Sequence, residues 1–279
     1  MDVAALLISM GSMGLLGVLF SVGLSIANKK FHVDEDPRIA VISEELPGVN
    51  CGACGYAGCV NFAEYLVKDE AEISTCGVAS AETVKEIAGI LGVEATTAEQ
   101  KIARIMCQGG IDETAKKAWY VGIQSCLAAH ILSGGEKLCE YGCLGSGDCL
   151  DACPFDAIRI SKNRLPEIIE SKCTGCGKCV DACPRDVIEL HPESHRLFVL
   201  CKNHDNPKES RKVCSKACIG CKICVRAVGE DQIFMDKHLA RINYEVYGNE
   251  SVLPTDRCPT ECLVVIKNKK AAEALEHTS

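Results

Sequence analysis

Basic side chains are in deficit, with 30 Lys and Arg against 38 Asp and Glu and a formal net charge of −8. That balance disfavours a nucleic-acid partner, which calls for a basic surface. No G-x-G-x-x-G follows a strand-like run and there is no P-loop, so no Rossmann dinucleotide site or phosphate cradle is expected. No serine or cysteine nucleophile set stands out, so no complete active site is expected on this chain. His191 and His195 are four apart, but Pro192 between them argues against a helical metal face. Aromatic residues are few, at 5%. Only one uncharged run is long enough to cross a bilayer, too little for an ion channel.

Cysteine is the excess, at 21 residues. A secreted disulfide scaffold can reach such a count. The spacing points elsewhere, because C-x-x-C runs followed by C-P are the bacterial ferredoxin signature for [4Fe–4S] ligation. Zinc ribbons use paired C-x-x-C knuckles, usually without the C-P ending.

Residues Val3 to Ala27 carry no charge, and 25 residues of helix span roughly 37 Å, enough to cross a bilayer with some tilt. Lys29 and Lys30 follow, which by the positive-inside rule puts the rest of the chain on the cytoplasmic side of the cell (inner) membrane. A cleaved signal peptide is the rival reading, because Ser25-Ile26-Ala27 resembles a cleavage site. It expects positive charge before the apolar run, where Met1-Asp2 stands instead. Gly17, Ser21 and Ser25 repeat every four residues, a small face that suits a second transmembrane helix.

The expected architecture is α+β: a transmembrane anchor (1–30), a linker with a four-cysteine module (31–95), a connecting region (96–138), a two-cluster ferredoxin-like domain (139–200), a degenerate ferredoxin-like domain (201–266) and a polar tail (267–279). The linker is read over 31–47, between charged residues and Pro37 and Pro47. Ser80 is placed to cap a helix through Leu91 that ends at Gly92. The tandem reading rests on an internal repeat. Cys153-Pro-Phe-Asp-Ala-Ile recurs 30 residues on as Cys183-Pro-Arg-Asp-Val-Ile, and Val228-Gly-Glu-Asp-Gln-Ile recurs at the same interval as Cys258-Pro-Thr-Glu-Cys-Leu.

In the ferredoxin pattern a C-x2-C-x2-C triple holds one cluster and the cysteine of the following C-P ligates the other. Cys173, Cys176 and Cys179 are therefore expected to bind with Cys153. In the first half position 146 is Ser, so the set expected there is Cys139, Cys143, Cys149 and Cys183. Cys218, Cys221 and Cys224 should bind with Cys258. Val228 stands at the fourth position of that half, and the second triple is absent, with Gly248, Ser251 and Pro254 in its places. The N-terminal module offers Cys51, Cys54, Cys59 and Cys76, interleaved with Gly52, Gly55 and Gly58. Cys107, Cys126, Cys201, Cys214 and Cys262 remain. The first four are the set for a further cluster between the domains, and buried thiols are the alternative for all five.

The order of an anchor, a Cys-Gly-Ala-Cys-Gly-Tyr-Ala-Gly-Cys module and Cys143-Leu-Gly-Ser-Gly-Asp-Cys149 leading into ferredoxin repeats resembles the B subunit of the Rnf complex. That resemblance implies an electron relay between soluble ferredoxin and membrane subunits of an Na⁺- or H⁺-translocating ferredoxin:NAD⁺ oxidoreductase. An iron–sulfur subunit of a non-pumping membrane reductase is the alternative. Residues 201–226 carry Lys202, Lys208, Arg211, Lys212, Lys216, Lys222 and Arg226 against Asp205 and Glu209, a candidate docking face for an acidic ferredoxin.

Overall fold

A computed structural model describes residues 3–30, 36–95, 99–247 and 254–266. Gly248 and Ser251, and the polar tail from 267, lie outside the described residues. Helix α1 runs Val3–Lys30 and ends on Lys29 and Lys30. Its stretch Met10–Lys30 is apolar and long enough to cross a membrane, and none of it is buried against the rest of the protein. On the small-residue face, Ser21 turns its hydroxyl onto the Gly17 carbonyl at 2.8 Å, so the helix satisfies that donor by itself.

The stretch read as a linker is largely folded. Pro37–Glu45 form α2, because Asp36 accepts from the Arg38 N–H at 2.9 Å and Pro37 occupies the first helical position, where a missing N–H is harmless. Ile39, Ile42 and Leu46 recur at helical spacing and join the core of the N-terminal module. Ile42 is fully buried there with Phe62 and Leu66 of α3 (Cys59–Val67) and Ile87 of α4 (Ala81–Leu91). Each such side chain contributes on the order of 2 kcal/mol. Helix α4 forms as its signals anticipate: Ser80 accepts from the Thr83 N–H at 3.1 Å, and Gly92 ends the helix at φ 71°. A left-handed terminal residue strains any side chain, which is why glycine sits there.

Two units of one plan follow. The first begins in the region expected to be a connector: β1 (Lys101–Ile105) pairs antiparallel with β4 (Ile188–Pro192). Between them lie α5 (Cys126–Ser133), α6 (Asp148–Asp151), the hairpin of β2 (Ile158–Ile160) and β3 (Pro166–Ile168), and α7 (Lys178–Asp181). In the second unit β5 (Leu197–Val199) pairs with β8 (Leu263–Val265) around α8 (Pro207–Val213), α9 (Ile223–Val228) and the hairpin of β6 (Ile233–Asp236) and β7 (Leu239–Ile242). First and last strands thus close each unit around an inner hairpin. The boundary falls before Leu197 rather than after 200, because β5 completes the second unit's outer sheet.

The two units share an interface. Arg104, 3% exposed, meets Glu170 at 2.5 Å and lies 5.4 Å over the Phe198 ring. His191 and His195 are part of the same packing: His195 stacks on Tyr244 with centroids 4.1 Å apart, and His191 meets Glu189 at 3.0 Å. His191 lies in β4 and meets the Phe198 and Tyr244 rings of the second unit edge-on, with centroids 5.1 and 5.2 Å apart.

Candidate metal centres

Cys51, Cys54, Cys59 and Cys76 line one cavity in the N-terminal module. Asn50 shapes it: its Oδ1 accepts from the Cys59 N–H at 2.8 Å, and a side chain on Gly58 would come within 2.8 Å of that oxygen. Cys153, Cys173, Cys176 and Cys179 line a second cavity in the first unit. The crossing of Cys153 to the other half's triple follows from the fold, because the two short helices α6 and α7 pack together. Burial pushes the Cys179 thiol up to about 12.

Cys143, Cys149 and Cys183 pack in the core of the first unit. Burial raises Cys149 to about 11 and Cys143 to about 12. Asp148, next to Cys149, holds Cys126 in place. Its carboxylate accepts from the Cys126 N–H at 2.7 Å, the Leu127 N–H at 3.0 Å and the Ser125 hydroxyl at 2.9 Å. Burial opposes the Asp148 charge, but these donors outweigh it and the pKa falls.

The placement differs from the one that spacing suggests. Cys139 lines a fourth cavity with Cys107, Cys201 and Cys214, and it is Cys126 that is tied to the Cys149 helix, through Asp148. The cause lies just upstream of Cys139. Lys137 donates to the Gly109 carbonyl at 2.6 Å and the Leu138 N–H to the Ala115 carbonyl at 2.7 Å, which clamps this stretch of chain onto 109–115. Cys139 is thereby carried to Cys107, away from Cys149.

In the second unit Cys218, Cys221, Cys224, Cys258 and Cys262 line a fifth site. Val228 packs into the hydrophobic core of the unit. Cys262 is 3% exposed, with its sulfur 3.7 Å from that of Cys258. Contact with Cys262 lowers the Cys218 thiol to about 6 and the Cys258 thiol to about 4, and raises Cys262 itself. Cys262 thus shares its one proton with two neighbouring sulfurs. No spacing rule signals this, because the contact depends on the turn at Glu261 with φ 52°.

The basic segment is less free than its charge count suggests. Lys202 pairs with Glu189, Lys216 with Glu261, and Lys212 with Glu209 at 3.0 Å. Lys208 and Arg211 are exposed on α8.

Two family models match the chain: "Putative Fe-S cluster" over residues 46–78 and "4Fe-4S dicluster domain" over 137–190. Among curated relatives, the B subunit of the Na(+)-translocating ferredoxin:NAD(+) oxidoreductase complex of Acetobacterium woodii is 42% identical over 93% of this chain and 78% of its own. The B subunit of an ion-translocating oxidoreductase complex of Methanosarcina acetivorans is 40% identical over 83% and 88%. The B subunit of the proton-translocating ferredoxin:NAD(+) oxidoreductase complex of Clostridium ljungdahlii is 35% identical over 91% and 90%. With thiol-lined cavities in both the N-terminal module and the repeats, and relatives of this identity over most of its length, the chain belongs to the B subunits of ion-translocating ferredoxin:NAD(+) oxidoreductase complexes, as an iron–sulfur electron-transfer protein.

Proposed function

We propose that this subunit carries electrons from reduced soluble ferredoxin to membrane-embedded partners through [4Fe–4S] clusters on the cytoplasmic side, with α1 as a single-pass anchor. Four ligand sets are proposed here: Cys51, Cys54, Cys59 and Cys76; Cys153, Cys173, Cys176 and Cys179; Cys126, Cys143, Cys149 and Cys183; and Cys218, Cys221, Cys224 and Cys258. Both repeated units are read as ferredoxin-like, the second with one such cluster of its own. When bound, a [4Fe–4S] cluster accepts and releases one electron at a time. The protein's part is to bury the thiolates, exclude water and aim backbone N–H groups at the sulfurs.

The observation that carries this reading is a thiol-lined cavity in each module: Cys51, Cys54, Cys59 and Cys76 in the N-terminal one, Cys153, Cys173, Cys176 and Cys179 in the first unit, and Cys218, Cys221, Cys224 and Cys258 in the second. Cys149 and Cys179 are buried in one core, which supports two neighbouring sets in that unit. The N-terminal module is joined to α1 by residues 31–35 alone, so its cluster is the natural exit toward the membrane. The second unit, at the far end of the chain, is the natural entry. On α8, Lys208 and Arg211 are the charges left for an acidic ferredoxin, where complementarity speeds encounter more than it tightens binding.

Stopped-flow reduction by reduced ferredoxin over a range of salt concentrations tests the reading. Reduction should be fast and should slow with salt. Charge reversal at Lys208 and Arg211 should slow it at low salt and flatten the salt dependence. A colourless, zinc-loaded protein would end the electron-transfer reading, and an unchanged rate in the charge-reversed variant would remove the docking face.

A further inference from the structure

The cavity between the two units has ligands from both. Cys107 follows β1 and Cys139 lies between α5 and α6, in the first unit; Cys201 follows β5 and Cys214 caps α8, in the second. Its open space, ≈ 320 Å³, equals that of the Cys153, Cys173, Cys176 and Cys179 cavity. We infer that Cys107, Cys139, Cys201 and Cys214 hold a further [4Fe–4S] cluster that staples the two ferredoxin-like units together and completes the electron path between them.

Three observations carry this. Backbone donors already point at the sulfurs: the Cys143 N–H lies 3.4 Å from Cys107 Sγ, and the Cys218 and Asn203 N–H groups lie 3.3 and 3.4 Å from Cys201 Sγ. Such N–H···S bonds stabilise thiolates held by a cluster. The backbone also comes close where a side chain would intrude. A Cβ on Gly109 would stand 3.0 Å from Cys214 Sγ, and one on Gly142 would stand 3.4 Å from Cys139 Sγ. Third, positive charge is supplied. Lys202 and Lys216 line the cavity, each also paired with a glutamate, and the buried Lys137 donates to the carbonyl of Gly109 on the cavity wall. Four thiolates around an oxidised [4Fe–4S] core leave a net negative charge, which accounts for burying a lysine here. Among the described residues, no three His, Cys, Asp or Glu side chains converge as closely as a single metal ion requires, whereas thiols set around a cavity suit a four-iron core.

Assembly releases four protons, one from each thiol, as four Fe–S bonds form. In the relay one electron enters the core and one leaves it, and no bond breaks. The position is what makes the cluster useful. Cys143, in the set with Cys149, donates its N–H to Cys107, and Cys218, in the second unit's set, donates its N–H to Cys201. A ligand residue of each neighbouring set thus hydrogen-bonds a sulfur of the bridging set, which places it between them. The ligand set itself follows from the geometry; its place in an electron path rests on the relay reading above.

The test uses the full chain, made anaerobically and reconstituted with ferrous iron and sulfide, read by iron and zinc analysis and by EPR of the reduced protein. The wild type should carry about twenty iron atoms, four for each of five thiolate sets. Cys214→Ala should lose about four of them while keeping the EPR signal that Cys221→Ala removes. Cys139→Ala with Cys214→Ala should lose no more than Cys214→Ala alone, and Cys139→Ala with Cys149→Ala should lose about eight. About sixteen irons in the wild type, with Cys214→Ala unchanged, would overturn the bridging cluster and leave the relay reading standing. The reverse pattern in the double variants would return Cys139 to Cys149. If Cys214→Ala misfolds and loses everything, the wild-type count decides between about twenty and about sixteen. A chain without iron would overturn both readings.

Discussion

The two repeated units share one plan of strands and differ in what they enclose. In the first, the Cys173, Cys176 and Cys179 triple with Cys153 lines one cavity, and Cys143 and Cys149 share its core across packed short helices. In the second, Val228 stands where a ligand would and packs in the core, and the thiols gather around one position. Yet the outer pairing of first and last strand and the inner hairpin are the same in both. The same strand plan therefore stands with fewer thiols where an apolar side chain fills the space.

That contrast breaks first, and hardest, at the ligands. Cys221→Ala should remove about four irons and leave the second unit open to proteolysis, because that unit has no other internal cluster. Cys176→Ala should also remove about four irons but leave the first unit protected by its Cys149 set. Equal protease sensitivity in the two variants would show that the units do not differ in this dependence.

The buried ion pair inside the first unit is the next largest effect. Glu170→Ala strands the buried Arg104 guanidinium and should cost about 3–5 kcal/mol in denaturant unfolding. A change under about 1 kcal/mol would mean that the Phe198 ring of the second unit, not Glu170, holds Arg104.

Val228→Cys sharpens the comparison from the other side. It restores one ligand position without the missing triple, so iron content should stay unchanged and stability should fall by about 1 kcal/mol from the altered core volume. A gain of about four irons would show that a second site persists in that unit.

Cys262→Ala is the smallest perturbation. Cluster number should hold, while the midpoint potential of the Cys218 cluster falls, because a thiol proton beside its sulfurs is lost. Loss of iron in this variant would make Cys262 a ligand in place of Cys258.

Much of this was legible in the sequence. The apolar run of α1, the Ser80 and Gly92 helix signals and the 30-residue repeat are local patterns, and the elements form where those patterns put them. Residues 37–46 were harder, because a short helix flanked by prolines and acids resembles a linker until Ile42 is seen in a core. β1 was hidden for a related reason: five residues gain strand character only from β4, more than 80 positions away in the chain.

The sequence by itself determined the chemistry. C-x-x-C spacing brings thiols onto one turn of chain, so the triples and the N-terminal module are recognisable without a fold. Only the tertiary structure decided which solitary cysteine joins which set. Cys126 opens a short helix and Cys139 follows it, and nothing in their spacing tells them apart. Asp148 draws Cys126 to Cys149, and Lys137 fixed to Gly109 draws Cys139 to Cys107. Those are contacts between residues 22 to 28 positions apart, formed only when the chain closes on itself. Cys201 and Cys214 join from the second unit by the same closure.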